Sequence, residues 1–386
     1  MFNVKTLNKI SPVGLNHFCD KKYNVGDDVE NPDAILLRSF KMHDMELPDS
    51  LLAIGRAGAG TNNIPVDKCA EKGIVVFNTP GANANAVKEL TILGLLISSR
   101  KVVKGYDWAQ SLKGTEDVAG QVEKGKSAFV GPEIYGKKLA IIGLGAIGVM
   151  VANTAFHLGM DVVGYDPYIS VKAALGLSRH VGFTSDLKSL LEDADYVTIH
   201  VPLTPDTKHM INDETIGYMK DGARLLNFAR GDLVDNNAVK KALENGKLST
   251  YVTDFPSEDL LGIDNIVTIP HLGASTPESE DNCAEMAAKE IIDYLENGNI
   301  VNSVNFPHCE LPREGVRITI THKNIPNMLS SFSTILAEAN VNIENMVNKG
   351  KKDYAYTIID IVDAPKDEIV EKIKGVDGVI SVRVIL

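Results

Sequence analysis

Three short segments carry side chains that together could do acid–base and anion chemistry: Asn227-Phe-Ala-Arg230-Gly231, Asp254-Phe-Pro-Ser-Glu258 and Pro270-His271-Leu-Gly273. A histidine titrates near neutral pH and can take the proton of a hydroxyl group. A carboxylate beside it would stabilise the imidazolium that forms. An arginine matches a substrate carboxylate with a bidentate fork that lysine cannot reproduce. His271, Glu258 and Arg230 fit these roles in a hydride transfer. Singly they have plainer readings, as a surface histidine, a solvated loop charge and a strand-end cap. In order, downstream of a nucleotide motif, they read as a catalytic set.

That motif is Gly143-Leu-Gly145-Ala146-Ile147-Gly148, entered from the apolar run Lys138 to Ile142 and followed by a helical stretch. In such a turn the first glycine permits the bend and the second lets the backbone approach a pyrophosphate. The third allows close helix–strand packing. Asp166, at the end of the next apolar run, suits the hydroxyls of an adenosine ribose. Its charge would repel a 2′-phosphate, and Pro167-Tyr168 supplies no arginine to hold one. The expected cofactor is therefore NAD. No His/Asp/Glu cluster has metal-ligand spacing, so metal catalysis is not expected.

These groups must be positioned by strand ends. Runs at Val4 to Ile10, Ala34 to Arg38, Leu51 to Arg56 and Gly73 to Asn78 alternate with polar helical stretches and predict a first α/β domain. A helical stretch from Ala86 to Gly105 and an irregular polar one from Gly114 to Gly136 follow. Six further strands, Lys138 to Ile142, Asp161 to Tyr165, Tyr196 to His200, Arg224 to Phe228, Tyr251 to Asp254 and Ile266 to Ile269, predict a doubly wound sheet. A helix from Pro277 towards Asn297 leads to a segment with Pro307 and Pro312 that reads as a linker. Val316 to Leu386 then gives the β-α-β-β-α-β order of a ferredoxin-like module.

Composition narrows the class. The net charge of −12 argues against a nucleic-acid or anionic-membrane surface, so any bound anion needs a local pocket. No apolar run approaches the ~20 residues that span a bilayer. The four cysteines, Cys19, Cys69, Cys283 and Cys309, are scattered as reduced thiols would be, and a cytoplasmic location is expected.

The series Gly55-Arg-Ala-Gly58, Gly143 to Gly148, His200-Val-Pro-Leu203, Asn227 to Asp235 and Pro270 to Thr276 closely resembles the D-isomer-specific 2-hydroxyacid dehydrogenases over essentially the whole chain. The resemblance implies an α/β architecture of three parts: a flavodoxin-like substrate domain over 1–90 completed by 278–305, a Rossmann domain over 91–277, and, after a 306–315 linker, a ferredoxin-like ACT domain over 316–386. It gives Arg230, Glu258 and His271 the catalytic roles described. To the glycine turn and Asp166 it adds His200, Pro202, Thr207, Ala229, Asp254 and Gly273 at the cofactor. The chain is most similar to members that oxidise 3-phosphoglycerate to 3-phosphohydroxypyruvate at the start of phosphorylated serine synthesis. Arg38, Ser39, Arg56, Gly58, Asn83 and Lys126 would then meet the substrate.

Thr321-His322-Lys-Asn324-Ile-Pro326 and Ala339-Asn-Val-Asn342-Ile343 resemble the ACT domains that bind L-serine, which implies an effector site at His322, Asn324 and Asn342 in a homodimer or homotetramer. Three positions depart from the pattern. The aspartate that meets the nicotinamide amide is displaced, leaving Thr253 or Asp254 for that work; the proline expected after Glu258 is Asp259; and Asn327 stands where a glycine often follows the ACT proline. The alternatives are another oxidoreductase, acting on glyoxylate, hydroxypyruvate or 2-oxoglutarate, and a catalytically silent NAD-sensing protein on the same fold.

Overall fold

The computed structural model describes all of residues 1–386. The chain divides into two compact units, Met1–Asn83 with Pro277–Leu386, and Ala84–Thr276.

In the first unit, β1 (Phe2–Leu7), β2 (Tyr23–Gly26), β3 (Ala34–Leu37), β4 (Ala53–Arg56) and β5 (Val75–Asn78) form one sheet. All neighbours are parallel and the order is β2-β1-β3-β4-β5, the flavodoxin-like arrangement. The central β3, Ala-Ile-Leu-Leu, is buried along its whole length, as a strand covered on both faces must be. β2 was not among the four expected runs. It is a short edge strand with only Tyr23 buried, so it carries little apolar signal.

The helix Pro277–Asn297 returns to this sheet and buries Cys283, Ala284, Ala287, Ala288, Ile291, Tyr294 and Leu295. Its approach is close: a Cβ at Gly55 would press on Ile291, and one at Gly14 on Ala284. Residues 302–305 cover the edge of β5, with Val304 N–H donating to Val76 O (2.9 Å) and Asn305 Oδ1 accepting from Val76 N–H (2.9 Å).

In the second unit, β6 (Lys138–Ile142), β7 (Asp161–Tyr165), β8 (Gly182–Thr184), β9 (Tyr196–Ile199), β10 (Ala223–Asn227), β11 (Leu248–Thr253) and β12 (Ile266–Thr268) run parallel. Their order, β12-β11-β10-β9-β6-β7-β8, is doubly wound, and the direction of winding reverses between β6 and β9. β8 is the strand missing from the six expected; at three residues it has no period to read. The stretch read as one helix is two, Ala84–Ser99 and Val102–Ser111, and the polar stretch after it holds the helix Val118–Gly125. The unit begins at Ala84, earlier than residue 91, because Val87 and Leu95 join the core under the second sheet.

The third sheet, β13 (Val316–Lys323), β14 (Ile343–Lys351), β15 (Tyr354–Ile361) and β16 (Val379–Ile385), is antiparallel in the order β14-β15-β13-β16, with the helices Met328–Glu338 and Asp367–Lys374 between its strands. Side chains alternate across it. Ile318, Ile320, Ile359 and Ile361 join the helices' core. On the other face Tyr356 and Ile358 enter the core of the flavodoxin-like domain. This module therefore does not stand apart behind a linker: it belongs to the first unit. The intervening residues are tied down too, with Phe306 and Cys309 buried and Cys309 pairing with Ile300.

Arg317 fastens that face. Its side chain is fully buried and forks onto Asp360, with Nε to Oδ1 at 2.6 Å and Nη2 to Oδ2 at 2.8 Å. Its remaining hydrogens go to the carbonyls of Asn297, Leu311 and Pro312 and to Asn299 Oδ1. Breaking one side of a buried pair strands the other charge, so Arg317→Ala should cost about 3–5 kcal/mol in a urea melt. A joint Arg317→Met, Asp360→Leu replacement should recover much of that loss.

Candidate active site

The turn after β6 is built for close approach. Gly143 has φ +97°, and a Cβ there would meet His200 O at 2.6 Å. A Cβ at Gly148 would strike the Gly143 carbonyl oxygen. Gly145, by contrast, faces open space and caps the helix Ala146–His157 without a side-chain cap. The first amides of that helix, at Ala146, Ile147 and Gly148, have no carbonyl a turn earlier to bond. Bare amides, a positive helix end and an unobstructed glycine together fit a pyrophosphate. Asp166 holds the turn's far side, Oδ2 accepting from Leu144 N–H (2.9 Å) and Oδ1 from Tyr168 N–H (2.8 Å). A carboxylate has further lone pairs for ribose hydroxyls.

Across the switch point, His200 follows β9. Its Nε2 lies 3.1 Å from Thr198 Oγ1, and burial pushes the imidazole down to about 3, so it is neutral. Thr207 Oγ1 donates to Pro202 O (2.7 Å) and accepts from Thr204 N–H (2.8 Å), which closes the loop beyond. After β10, the buried Asn227 clamps the next turn: its Nδ2 donates to Arg230 O (2.8 Å) and its Oδ1 accepts from Ala229 N–H (3.1 Å). Arg230 is left exposed, its Nη1 on Ala229 O at 2.6 Å. Asn227 belongs to a sequence motif that by itself gives it no task.

After β11, Thr253 and Asp254 make different contacts. Thr253 Oγ1 accepts from Phe255 N–H (3.1 Å) and shapes the turn. Asp254 is buried; its Oδ2 accepts from Gly273 N–H (3.1 Å), its backbone oxygen from His271 N–H (2.9 Å), and its Oδ1 has no partner within the protein. Burial raises the Asp254 carboxyl above the usual range, against the opposing pull of the Gly273 amide, His271 and Arg230. His271 has φ +43° and leans on Phe255, with ring centroids 4.9 Å apart.

Glu258 is not where the resemblance puts it. It is exposed and makes no hydrogen bond or ion pair with His271. The turn that carries it folds on itself through Ser257 Oγ to Asp259 Oδ1 (2.6 Å) and Lys240 to Asp259 (3.1 Å). Asp254, by contrast, is coupled to His271, whose charge opposes the effect of burial on the Asp254 carboxyl.

On the first unit, Arg38 follows β3 and Arg56 is the last residue of its neighbour β4. Arg38 is ion-paired with Glu280 in the first turn of the helix Pro277–Asn297. The Arg56 guanidinium lies over Gly58, whose φ of +141° and missing side chain make room for it. Ser39 N–H donates to Asn8 Oδ1 (3.2 Å), and Asn63 Nδ2 holds the carbonyls of Arg38 (3.1 Å) and Phe40 (2.7 Å). Asn78 Nδ2 donates to Ala59 O (2.6 Å) and Thr79 N–H to Gly58 O (3.1 Å), which pin the Arg56 loop. Asn83 is partly exposed at the last position of this segment. Lys126 lies on the second unit, exposed and paired with Glu123.

The three expected effector residues do not meet within one chain. His322 is buried against Phe332, with Nδ1 at 2.8 Å from Lys323 O and Nε2 at 2.9 Å from Thr357 Oγ1, and burial lowers its basicity. Asn324 donates to Lys352 O (3.0 Å) at the same sheet end. β14 runs from Ile343, level with Ile361, to Lys351, level with Tyr354, so Asn342 lies at the opposite end. A strand of this length separates them by about 25 Å.

Residues 94–273 match the NAD binding domain of D-isomer specific 2-hydroxyacid dehydrogenases. Two relatives named D-3-phosphoglycerate dehydrogenase are similar along most of their length. That of Haemophilus influenzae is 35% identical, covering 88% of this chain and 83% of its own. That of Escherichia coli K12 is 35% identical, covering 87% and 82%. Among solved structures, the TT0316 protein of Thermus thermophilus superposes with a TM-score of 0.63 at 27% identity, over 78% of this chain and 99% of that one.

The two carboxylates that could support His271 can be told apart by mutation. Asp254→Asn should lower kcat by about 10²-fold, the low end of what a positioned proton-transfer partner contributes. Glu258→Gln should lower it by less than about tenfold. The reverse ranking in steady-state assays would show that the 255–259 turn rearranges during turnover.

Proposed function

The chain belongs to the D-isomer specific 2-hydroxyacid dehydrogenase family, and we propose that its substrate is 3-phosphoglycerate, oxidised to 3-phosphohydroxypyruvate as the first step of phosphorylated serine synthesis. The observation that carries this reading is the pair Arg38 and Arg56 at neighbouring strand ends, in a chain whose net charge is −12. A phosphate monoester brings nearly two negative charges and needs local cations where the overall field is repulsive.

NAD, when bound, accepts the hydride from C2 of the hydroxyacid. The chain's own groups supply the rest. Arg230, freed for the purpose by the Asn227 clamp on its backbone, holds the α-carboxylate. His271 takes the hydroxyl proton through a ring nitrogen, and the Asp254 carboxyl, electrostatically coupled to His271, stabilises the imidazolium when ionised. Arg38, Arg56, Ser39 and Asn83 take the phosphate end. Lys126, held by Glu123, has the weakest claim to a share in that work.

L-serine is the effector we assign to the C-terminal module, at a site shared by two copies. β14 is an unpaired edge. Antiparallel pairing with β14 of a second copy would bring Asn342 of one chain level with Asn324 of the other. His322, both nitrogens already bonded, would support that site from beneath.

Purified protein should oxidise NADH with 3-phosphohydroxypyruvate. Arg38→Ala and Arg56→Ala should each cut kcat/KM for that substrate about 10- to 100-fold while leaving glyoxylate turnover little changed, since each removes a charged hydrogen bond to phosphate only. Equal losses on both substrates, or turnover on glyoxylate or 2-oxoglutarate alone, would point to a different hydroxyacid.

Serine should suppress turnover, and Asn342→Ala should relieve the inhibition without changing kcat. Retained serine sensitivity in that variant would rule out the shared site.

A further inference from the structure

The helix Pro277–Asn297 buries one acid that neither catalysis nor cofactor binding uses. Glu290 is only 7% exposed, and its Oε1 accepts from Asn302 Nδ2 at 2.7 Å while its Oε2 has no partner. A carboxyl left half unsatisfied in a packed interior is costly, and its retention asks for a reason. The bonds beyond Asn302 suggest one. Asn302 has φ +58°, and its backbone oxygen accepts from Asn78 N–H at 3.4 Å. Asn78 in turn donates its side-chain amide to Ala59 O (2.6 Å), next to the Arg56–Gly58 turn.

We infer that Glu290 is a positioning residue for the Arg56 loop, acting through Asn302 and Asn78. The inference rests on the reading of Arg56 as a substrate cation. Its physical content is that a carbonyl–amide chain three links long fixes where the guanidinium of Arg56 can lie. Breaking the first link frees Asn302 from its left-handed conformation and lets the loop spread over several positions.

The surroundings decide which form of Glu290 does this. It opens beside a recess of about 590 Å³ lined by Ala82, Asn282, Met286, Lys289, Asp293 and Asn302. On its own helix, Lys289 is taken by Glu285, which also meets His17. Asp293 accepts from Asn297 and Asn299. Arg56, at the end of β4, is turned over Gly58. From β14 comes Lys351, whose ammonium is spent on the carbonyls of Ser303 and Val304. Burial pushes the Glu290 carboxyl up to about 8, against the opposing pull of the Asn302 amide. At neutral pH the group is therefore uncharged and keeps its bond to Asn302. Above pH 8 it ionises, and the buried charge drives the side chain towards water.

The test is kinetic, on the full-length chain with NADH and 3-phosphohydroxypyruvate, or with whichever 2-oxoacid the wild type reduces. Glu290→Ala should raise the oxoacid KM about fivefold, the worth of one net hydrogen bond, with kcat and the NADH KM unchanged. Asn302→Ala should do the same, and the double variant no more than either. Glu290→Gln keeps an acceptor oxygen and should match the wild type at pH 7. Above pH 8 the wild-type KM should climb while that of Glu290→Gln stays flat.

A linked stability effect has a fixed sign. The folded-state value near 8 lies above the ordinary 4.5, so the wild type loses stability relative to Glu290→Gln as pH rises from 4.5 to 8. Equal rises in both KM values, or superimposable pH profiles for wild type and Glu290→Gln, would overturn the inference. If Glu290→Ala does not fold, Asn302→Ala and the Gln profile still decide it. Absence of turnover on 3-phosphohydroxypyruvate by the wild type would instead count against the substrate reading.

Discussion

The last turn of the helix Pro277–Asn297 presents carbonyls that no later amide of the helix can reach; the Gly298 amide meets one, Tyr294 O, and the C-terminal module with the segment leading into it supplies the other donors. Arg383 takes Tyr294 O (3.3 Å) and Leu295 O (2.9 Å), Arg313 takes Glu296 O (2.9 Å), and Arg317 takes Asn297 O (2.8 Å). Tyr356 donates its hydroxyl to Gly298 O at 2.7 Å. Three guanidinium groups thus face the negative end of the helix dipole, where cations are stabilising. Arg383 also stacks on Tyr294 at 4.7 Å. Lift the module away and the helix end, the Arg317–Asp360 pair on the module's own face and one face of the first core all meet water at once. This is why two sheets of different architecture make one compact unit.

The same helix reaches the proposed phosphate residues from its other end. Its first turns carry Glu280, paired with Arg38; Asp281, which accepts from Ser11; and Asn282, which donates to Ala82 O. At 21 residues it is about 30 Å long and packs on the sheet through small side chains that leave little slack. A displacement of the C-terminal module cannot be absorbed at the arginine-capped end without breaking the guanidinium–carbonyl bonds there. It must either be resisted or be carried along the helix towards Arg38 and the Glu290–Asn302 link. An effector has leverage here only if it prefers one seat of the module over another, and the cost of the alternative seat is set by those capping bonds.

Which parts of this were legible in the sequence follows from how local their causes are. The glycine turn, Asp166 and the positions of Arg230, Asp254 and His271 depend on strand ends a few residues away, and the spacing of motif to strand revealed them. The ferredoxin-like order was legible for the same reason. The seat of the C-terminal module was not, because Arg317 and Tyr356 look like ordinary strand residues until the alternation of the sheet aims them at a distant helix. Pro307 and Pro312 suggested a free linker, whereas Phe306 and Cys309 are buried by neighbours far off in sequence. The contacts of the turn that carries Glu258 were not legible, because the Ser257–Asp259 hydrogen bond that closes it is a feature the motif alone does not show. Both nitrogens of His322 are already bonded within the module, which a linear pattern does not show.

The distribution of unsatisfied polar atoms ties these observations together. Asn63 Oδ1, Thr79 Oγ1, His200 Nδ1, Asp254 Oδ1 and Glu290 Oε2 are buried without a partner, whereas the C-terminal module has no such atom. Each costs about 1–3 kcal/mol, so they are not tolerated at random. Asn63 braces the Arg38 turn, Thr79 adjoins the amide that pins Gly58, His200 stands over Gly143, Asp254 anchors His271, and Glu290 holds Asn302. Each lies in or just behind a loop that presents a proposed ligand-binding group. The well-satisfied arginine network and apolar cores supply the stability that lets these loops stay polar and incompletely bonded, and a loop that has not spent its hydrogen bonds on itself has them free for a ligand.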